Sequence, residues 1–350
     1  MDWWLNSVAE ISLPNREAAL ARQQQLTKPE GALGVLEALA VNFAGWQGTD
    51  MPELNHIDIR VFAADHGVVA EGVSAYPQAV TVEMIKNFAR GGAAISVLAR
   101  QANANFSEVN FTVVNMGTVV EAPVRDSVIN VELAPGTNNF CQMPAMDEDT
   151  VQQALSEGAA QVEEGADLFV GGEMGIGNTT ATAALTSAFL DLSPDITVGR
   201  GTGIDDEALT KKRDAVTRAL KLHEADTKTP LDTLRCLGGL EIAALAGAYI
   251  SAAQKGIPSV VDGYICTVAA LTACRLNPGV RDWLLFSHCS AEPGHHYLLE
   301  ALSAVPLLDF GLRLGEGSGA ALVLPLLQSA CHLHGDMATF AEANVSRRDS

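Results

Sequence analysis

The sequence predicts an α/β fold in which a doubly wound, mainly parallel sheet carries helices on both faces. The first observation is a recurring pattern of short apolar runs that end in small or polar residues, with helix-like stretches between most of them. The second is composition: 48% of the residues are hydrophobic, 18% are charged and 31 are Gly, as in a large enzyme with buried strands and tight turns. The runs are IDIRVFAADHG (57–67), FTVVNMG (111–117), DLFVGGEMG (167–175), SVVDGY (259–264) and WLLFSHCS (283–290).

The two ends of the chain are richer in helix than the middle. REAALARQQQL and GALGVLEALAVNFAGW carry apolar residues at helical spacing, and Pro29 and Gly31 mark a turn between them. We therefore expect N-terminal helices (1–56), a Rossmann-like main domain (57–310) and a C-terminal loop and helix (311–350). The first and last segments are expected to pack together as a smaller helical subdomain.

Charge and cysteine content limit the possible partners and location. The net charge of −20 over 350 residues argues against nucleic-acid binding, which requires clustered Lys and Arg. The six cysteines form no C-x-x-C pair, which favours free thiols in a reducing cytoplasm. The N-terminus has no signal-peptide pattern, and no apolar run reaches the roughly 18 residues of a membrane span.

The segment GGEMGIGNTTATAAL (171–185) combines a strand end, glycines and a helix start. Gly175 and Gly177 permit close backbone approach, and Asn178, Thr179 or Thr180 can cap the helix. A helix start of this kind is suited to binding phosphate. It is neither G-x-G-x-x-G nor a Walker A loop, and taken alone an ordinary βα turn is the favoured interpretation.

Two glutamates lie between glycines where ligands commonly bind. Glu173 follows a strand, and it either orients a ribose hydroxyl or a base or serves as a turn residue. Glu316, in LRLGEGSGAALVLPLL (312–327), precedes an apolar helix. Apolar surroundings raise the pKa of a carboxyl and suit a general base, but a helix-capping acid is equally compatible with the pattern.

A second glycine-rich loop introduces the basic residues. In VGRGTGIDDEALTKKRDAV (198–216), Asp205 and Asp206 begin a helix, and Lys211 and Lys212 follow about two turns later. One of these lysines is expected to reach a phosphate, and Lys211 is better explained as part of a solvated face. The loop glycines are Gly199, Gly201 and Gly203.

The stretch AADHGVVAEGVSAYPQAVTVEMI (63–85) offers a surface for an aromatic ligand. Asp65 and His66 end a strand, while Tyr76, Pro77 and Met84 provide flat apolar groups, although such residues more often belong to the core. The histidines near His288 have no metal-ligand spacing, and no G-x-S-x-G nucleophile elbow is present.

Taken together, these segments resemble the nicotinate-nucleotide–dimethylbenzimidazole phosphoribosyltransferase family. The specific pieces are AADHG, GE-x-G-x-x-NTT and RLGEGSGAAL, and they occur in the family's order between about residues 26 and 330. LTKPEGALGVLE, VGRGTGID, VVDGY and SHCSAE match as well. The resemblance implies a doubly wound α/β fold, a homodimer, and a reaction without metal or cofactor that uses nicotinate mononucleotide and a benzimidazole.

The resemblance also implies roles for individual residues. Glu316 matches the general base that removes the benzimidazole N–H proton as the other ring nitrogen attacks C1′ of the ribose, and Glu173 matches a second carboxylate on the ribose side. Nicotinate leaves from the opposite face, which gives the α-nucleotide. The phosphate- and ribose-binding positions are Gly175, Gly177, Asn178, Thr179, Thr180, Gly201, Gly203 and Lys212. The base-binding positions are Tyr76, Pro77, Met84, Met174 and Leu314, with Asp65, His66, Asp262 and Ser290 in support.

One departure leaves the acceptor open. Some members carry Ser and Gln where this chain has Tyr76 and Met84, so adenine, another benzimidazole or a phenol is an alternative acceptor. A catalytically silent ligand-binding homologue is a further alternative, against which the intact RLGEGSG argues. A Rossmann-like oxidoreductase predicts G-x-G-x-x-G after the first strand, where AADHGVVAEG stands instead.

Overall fold

The computed structural model describes residues 2–122, 125–201 and 203–346. Its centre is one sheet of six parallel strands in the order β3-β2-β1-β4-β5-β6. This order is typical of a doubly wound sheet, in which the direction of winding reverses between β1 and β4. The strands are β1 (His56–Ala64), β2 (Glu108–Gly117), β3 (Val128–Asn130), β4 (Leu168–Met174), β5 (Ser259–Val261) and β6 (Leu284–Phe286).

Helices connect the strands and cover the sheet. Gly171 and Gly172 show that both faces are covered: a Cβ at Gly171 would meet Leu245 and Tyr249, whereas one at Gly172 would collide with the backbone at Glu316. Successive residues of a strand point to opposite faces, so the two sets of neighbours lie on opposite sides of β4. The helices are α1 (Leu13–Gln23), α2 (Val35–Gln47), α3 (Ala79–Arg90), α4 (Ala94–Ala102), α5 (Glu148–Ala160), α6 (Asn178–Leu190), α7 (Pro194–Thr197), α8 (Asp206–His223), α9 (Pro230–Leu237), α10 (Leu240–Gln254), α11 (Tyr264–Leu276), α12 (His295–Ala301) and α13 (Ser318–Asp336), and 3₁₀ turns occur at Trp3–Leu5, Gly67–Glu71 and Pro278–Trp283.

The core lies between the sheet and its helices. β1 and β4 are central, and their strand residues are almost all buried, which explains the apolar stretches VFAA and LFVGG within them. Helix α10 is buried along nearly its whole length because it crosses β1, β2 and β4 and packs against α5 and α11. A helix enclosed on all sides has no polar face, so its sequence shows little helical periodicity.

The N-terminal helices pack against the end of the chain. Nε of Arg22 donates to the carbonyl of His334 at 2.8 Å, and Gln23 hydrogen-bonds the same histidine. Leu26 and Thr339 form an antiparallel bridge. These contacts support the proposal that segments 1–56 and 311–350 form one small helical subdomain, of which Met1 and residues 347–350 lie outside the described part of the chain.

No helix in the described ranges combines the length and the apolar character that a membrane crossing requires.

Candidate active site

A cavity of about 440 Å³ opens at the carboxyl edge of the sheet, around the point where the winding reverses. In doubly wound sheets, ligands bind in this position because loops from neighbouring strands diverge there. Its lining comes from the segments that follow β4, β5 and β6, from the loop before α13, and from α3 and its preceding turn. The lining residues are Tyr76, Val80, Met84, Glu173, Met174, Gly175, Ile176, Asn178, Thr179, Gly201, Asp262, Gly263, Tyr264, Ile265, His288, Ser290, Glu292, Arg313, Leu314, Gly315 and Glu316.

Glu316 lies on a tight loop that the sheet holds in place. Gly315, Glu316 and Gly317 all have left-handed backbone conformations, with φ of 87°, 68° and 83°. For the glutamate this conformation is strained, and it persists because its surroundings fix it. The Asp262 carboxylate supplies part of that restraint, since it accepts from the N–H groups of Gly317 at 3.1 Å and Ala320 at 3.0 Å.

The Glu316 carboxylate is buried and only partly hydrogen-bonded. It accepts from the N–H of Ile95 in the first turn of α4, but in the described structure its Oε2 has no hydrogen-bond partner. Burial raises the pKa of Glu316, the negative charge of Asp262 raises it further, and the Ile95 N–H opposes both. A carboxylate oxygen without a donor, at the wall of a cavity, is suited to accept a proton from a ligand.

Glu173, at the end of β4, connects the start of α6 to the loop that carries Glu316. Its Oε2 accepts from Nδ2 of Asn178 at 2.5 Å, and its carboxylate also accepts from the backbone N–H of Glu316. Burial raises the pKa of Glu173 to about 8, with further contributions from the negative charges of Asp262 and Glu241. A Cβ at Gly315 would collide with Oε1 of Glu173, so the glycine permits this approach.

The start of α6 carries no side-chain cap. Gly177 is the N-cap residue, with φ of 99°, and the Asn178 side chain is engaged by Glu173. The expectation that Asn178, Thr179 or Thr180 caps this helix is therefore wrong, because Gly177 occupies the N-cap position and these three residues already lie within the first helical turn. Two backbone N–H groups of this first turn donate to the chain itself, that of Asn178 to the carbonyl of Gly175 and that of Thr180 to the carbonyl of Gly177, while the positive end of the helix dipole still favours an anion here.

Lys212 lies beside this helix start. It is 1% exposed, and its Nζ donates to Oγ1 of Thr179 at 2.7 Å and to the carbonyl of Gly199 at 3.2 Å. Burial lowers the pKa of Lys212 to about 8, against the opposing effect of the Glu292 carboxylate. Lys211 instead points to solvent and pairs with Glu207 at 2.8 Å, as predicted for a solvated face.

One part of the cavity lining is apolar. Tyr76, Val80 and Met84 contribute from the α3 side, and Met174 and Leu314 contribute from the ends of β4 and the last loop. Tyr76 and Leu314 remain 49% and 62% exposed, so they stand at the entrance rather than in the core. Apolar side chains beside a buried carboxylate suit an aromatic ring that carries an N–H group.

Comparison with known proteins agrees with this geometry. The family model described as "Phosphoribosyltransferase" matches residues 8–345. The nicotinate-nucleotide–dimethylbenzimidazole phosphoribosyltransferase of Pseudomonas aeruginosa UCBPP-PA14 is 55% identical, and that of Xanthomonas oryzae pv. oryzae PXO99A is 57% identical, each over 99% of both chains. The chain belongs to this family. A crystal structure of the phosphoribosyltransferase of the same name from Thermus thermophilus superposes with a TM-score of 0.88 at 46% identity, covering 97% of this chain and 100% of that one.

Some residues that the sequence predicts for the site do not line the cavity. Asp65 and His66 are fully buried behind it, where Asp65 accepts from Thr81 at 2.7 Å and His66 hydrogen-bonds Glu241 at 2.7 Å. A Cβ at Gly175 would meet both His66 and Glu241, so this layer supports the turn after β4. Also outside the lining are Pro77, Gly177, Thr180, Gly203 and Lys212.

The structure also brings in residues that sequence reasoning did not assign. Tyr264, His288, Glu292 and Arg313 line the cavity. His288 lies between Ser287, whose hydroxyl is 2.9 Å from Nδ1, and Asp262 at 3.7 Å, and burial lowers the pKa of this histidine. The sequence does contain a signal for Tyr264, His288 and Glu292, because they follow strands in the segments VVDGY and SHCSAE.

Within the described ranges, no three His, Cys, Asp or Glu side chains come together in an arrangement able to hold a metal ion.

Proposed function

We propose that this chain transfers the ribose 5-phosphate of nicotinate mononucleotide to 5,6-dimethylbenzimidazole, giving α-ribazole 5′-phosphate and nicotinate. Full-length identity of 55–57% to relatives that carry this activity in their names supports the proposal. The observation that carries it is Glu316, a buried glutamate with one carboxylate oxygen that is unpartnered in the described structure, which lines the cavity on a loop of fixed backbone conformation.

Glu316 is the general base. The benzimidazole ring lies against Met84, Met174 and Leu314 with its N–H directed at Oε2, while its other ring nitrogen faces C1′ of the donor. As the new N–C1′ bond forms, the proton moves to Glu316 and the nicotinate C–N bond breaks with its electron pair going to the ring. The donor ring is cationic before the reaction, so departure requires no acid.

The donor phosphate binds where Thr179 and Gly201 line the cavity, with Lys212 immediately behind. A Cβ at Gly201 would lie 2.8 Å from Oγ1 of Thr179 and 3.3 Å from Nζ of Lys212, so the loop backbone is close to both groups. The start of α6 adds the positive end of a helix dipole, with no side-chain cap. Asn178 hydrogen-bonds Glu173, which in turn accepts from the backbone N–H of Glu316, so the phosphate-binding residues are connected to the loop that carries the general base.

The biological setting follows from the resemblance. The reaction belongs to cobalamin nucleotide-loop assembly in the cytoplasm, and the active form is a homodimer. The six cysteines are all free, which is consistent with a reducing compartment. Light scattering on the purified protein tests the dimer directly, and a monomer at micromolar concentration would contradict it.

A product assay tests the proposed reaction. The purified protein is incubated with nicotinate mononucleotide and 5,6-dimethylbenzimidazole in the presence of a chelator, and the products are separated by chromatography with mass detection. We expect free nicotinate and the α-riboside phosphate in equal amounts. An equimolar adenine competitor then ranks the acceptors. Absence of nicotinate release with dimethylbenzimidazole, adenine and phenols alike would overturn the proposal in favour of a ligand-binding protein without activity.

A further inference from the structure

Glu292 is a buried acid at the cavity wall to which the reaction described above gives no role. It follows β6 in the SHCSAE segment, it is 9% exposed, and it lines the cavity. Its carboxylate lies over the backbone of Gly199, where even a Cβ would collide with Oε2. The carboxylate is therefore fixed above the same loop that binds Lys212.

One oxygen of the Glu292 carboxylate has no hydrogen-bond donor in the described part of the chain. Among the described residues, its buried Oε2 makes no hydrogen bond. Lys212 attracts it electrostatically, but the Lys212 ammonium donates to Thr179 and to the carbonyl of Gly199 instead. A buried carboxylate oxygen without a donor is unfavourable, so a bound ligand that supplies a donor to this carboxylate gains affinity.

The chemistry of the donor restricts what can fill this position. Its phosphate and its ring carboxylate are anions, which Glu292 repels, and the benzimidazole N–H is directed at Glu316. The ribose 2′- and 3′-hydroxyls are the remaining hydrogen-bond donors. Glu173, the other acid near the ribose, already accepts from Asn178 and from the N–H of Glu316.

We propose that Glu292 binds the ribose hydroxyls of the nucleotide donor and makes the site selective for ribose over 2-deoxyribose. This inference rests on the proposed function, since it assumes a ribose phosphate whose phosphate lies beside Thr179. Gly199 connects the two ends of that ligand: its carbonyl accepts from Lys212 at the phosphate end, and its Cα lies under Glu292 at the hydroxyl end.

The test compares kcat/KM for nicotinate mononucleotide and for its 2′-deoxy analogue. Because hydrogen bonds to a charged group each contribute about 1.5–3 kcal/mol, we expect the wild-type protein to prefer ribose by about 10- to 150-fold. In Glu292→Ala this ratio should fall toward one, mainly through a higher KM for the ribose donor. Glu292→Gln, which keeps one acceptor oxygen, should be intermediate. Glu300→Gln, an exposed glutamate on α12, is the matched control and should keep the wild-type ratio.

A binding measurement separates this inference from the proposed reaction. Calorimetry with ribose 5-phosphate and 2-deoxyribose 5-phosphate requires no acceptor and no turnover, and thermal melting verifies that each variant is folded. If the wild type releases no nicotinate but still binds ribose 5-phosphate in a Glu292-dependent manner, the proposed reaction fails and the inference survives. If folded Glu292→Ala and Glu292→Gln keep the wild-type preference in both measurements, the inference is wrong.

Discussion

Replacing Glu316 by Gln separates catalysis from stability at this site. Glutamine keeps the size of the side chain and an oxygen that can accept from the N–H of Ile95, but it cannot take a proton. General base catalysis typically contributes about 10²–10⁴-fold, which corresponds to about 3–5 kcal/mol of transition-state stabilisation. We therefore expect kcat to fall by that factor while KM for the donor changes little.

The stability of Glu316→Gln should stay within about 1 kcal/mol of wild type near pH 7. Burial raises the pKa of Glu316, so the folded protein binds a proton there more readily than the unfolded chain does. The side chain therefore contributes stability below its unfolded pKa, and this contribution is lost as the pH rises through the higher folded value. Near neutral pH glutamine thus removes an unfavourable buried charge, which offsets the poorly paired amide that it introduces.

The assay is the initial rate of nicotinate release across pH, together with urea unfolding of both proteins. In the wild type, the acid limb of kcat should have its midpoint above 4.5, the ordinary pKa of a glutamate, because the base works only when deprotonated. That limb should disappear from the residual activity of the variant. A folded Glu316→Gln with a near-normal rate, or with an unchanged acid limb, would refute the assignment of Glu316 as the base.

Three further predictions concern phosphate binding by Lys212, the raised pKa of Glu173 and the effect of chelators on the reaction rate. Lys212→Ala should raise KM for the donor about 10- to 100-fold with little effect on KM for the acceptor, whereas Lys211→Ala, the exposed neighbour, should match wild type; a rise confined to the acceptor would argue against phosphate binding. Relative to Glu173→Gln, the wild type should lose stability in urea titrations as pH rises from about 4.5 through about 8, by at most about 5 kcal/mol; parallel curves would contradict the raised pKa. Chelators should leave the rate unchanged, and loss of activity that added metal restores would contradict a metal-free reaction.

The sequence predicts most of the sheet because its strands are buried on both sides. Buried, mainly apolar stretches form the later parts of β1 and β2 and most of β4, and the polar residues after β1 and at the end of β4 mark the ligand-binding edge. β3 was not predicted: only one of its three residues is buried, so it does not appear in the sequence as an apolar run, whereas the equally short β5 is buried throughout.

The site was less predictable than the fold because its key contacts join distant parts of the chain. The N–H of Ile95, in α4, hydrogen-bonds Glu316, although more than two hundred residues separate them in the sequence. The glycine-rich motif around Glu316 does not indicate that α4 packs against it. For a related reason, the sequence does not single out Glu292. Its importance depends on the absence of a hydrogen-bond donor, and only the folded structure reveals which donors are near.

The electrostatics of the cavity explain how such an acidic protein binds an anionic substrate. A chain with a net charge of −20 binds an anionic nucleotide beside several buried acids. Because burial raises the pKa of Glu173 to about 8, this acid is largely neutral near pH 7 and does not add to the negative field. The same burial lowers the pKa of Lys212 to about 8, so the ammonium is weakly solvated, and an arriving phosphate stabilises its charged form. Binding of the donor should therefore take up protons near pH 8, where the two groups titrate, and calorimetry in buffers of different ionisation enthalpy would measure that uptake. Uptake that persists in Lys212→Ala would place the proton on Glu173 rather than on the lysine.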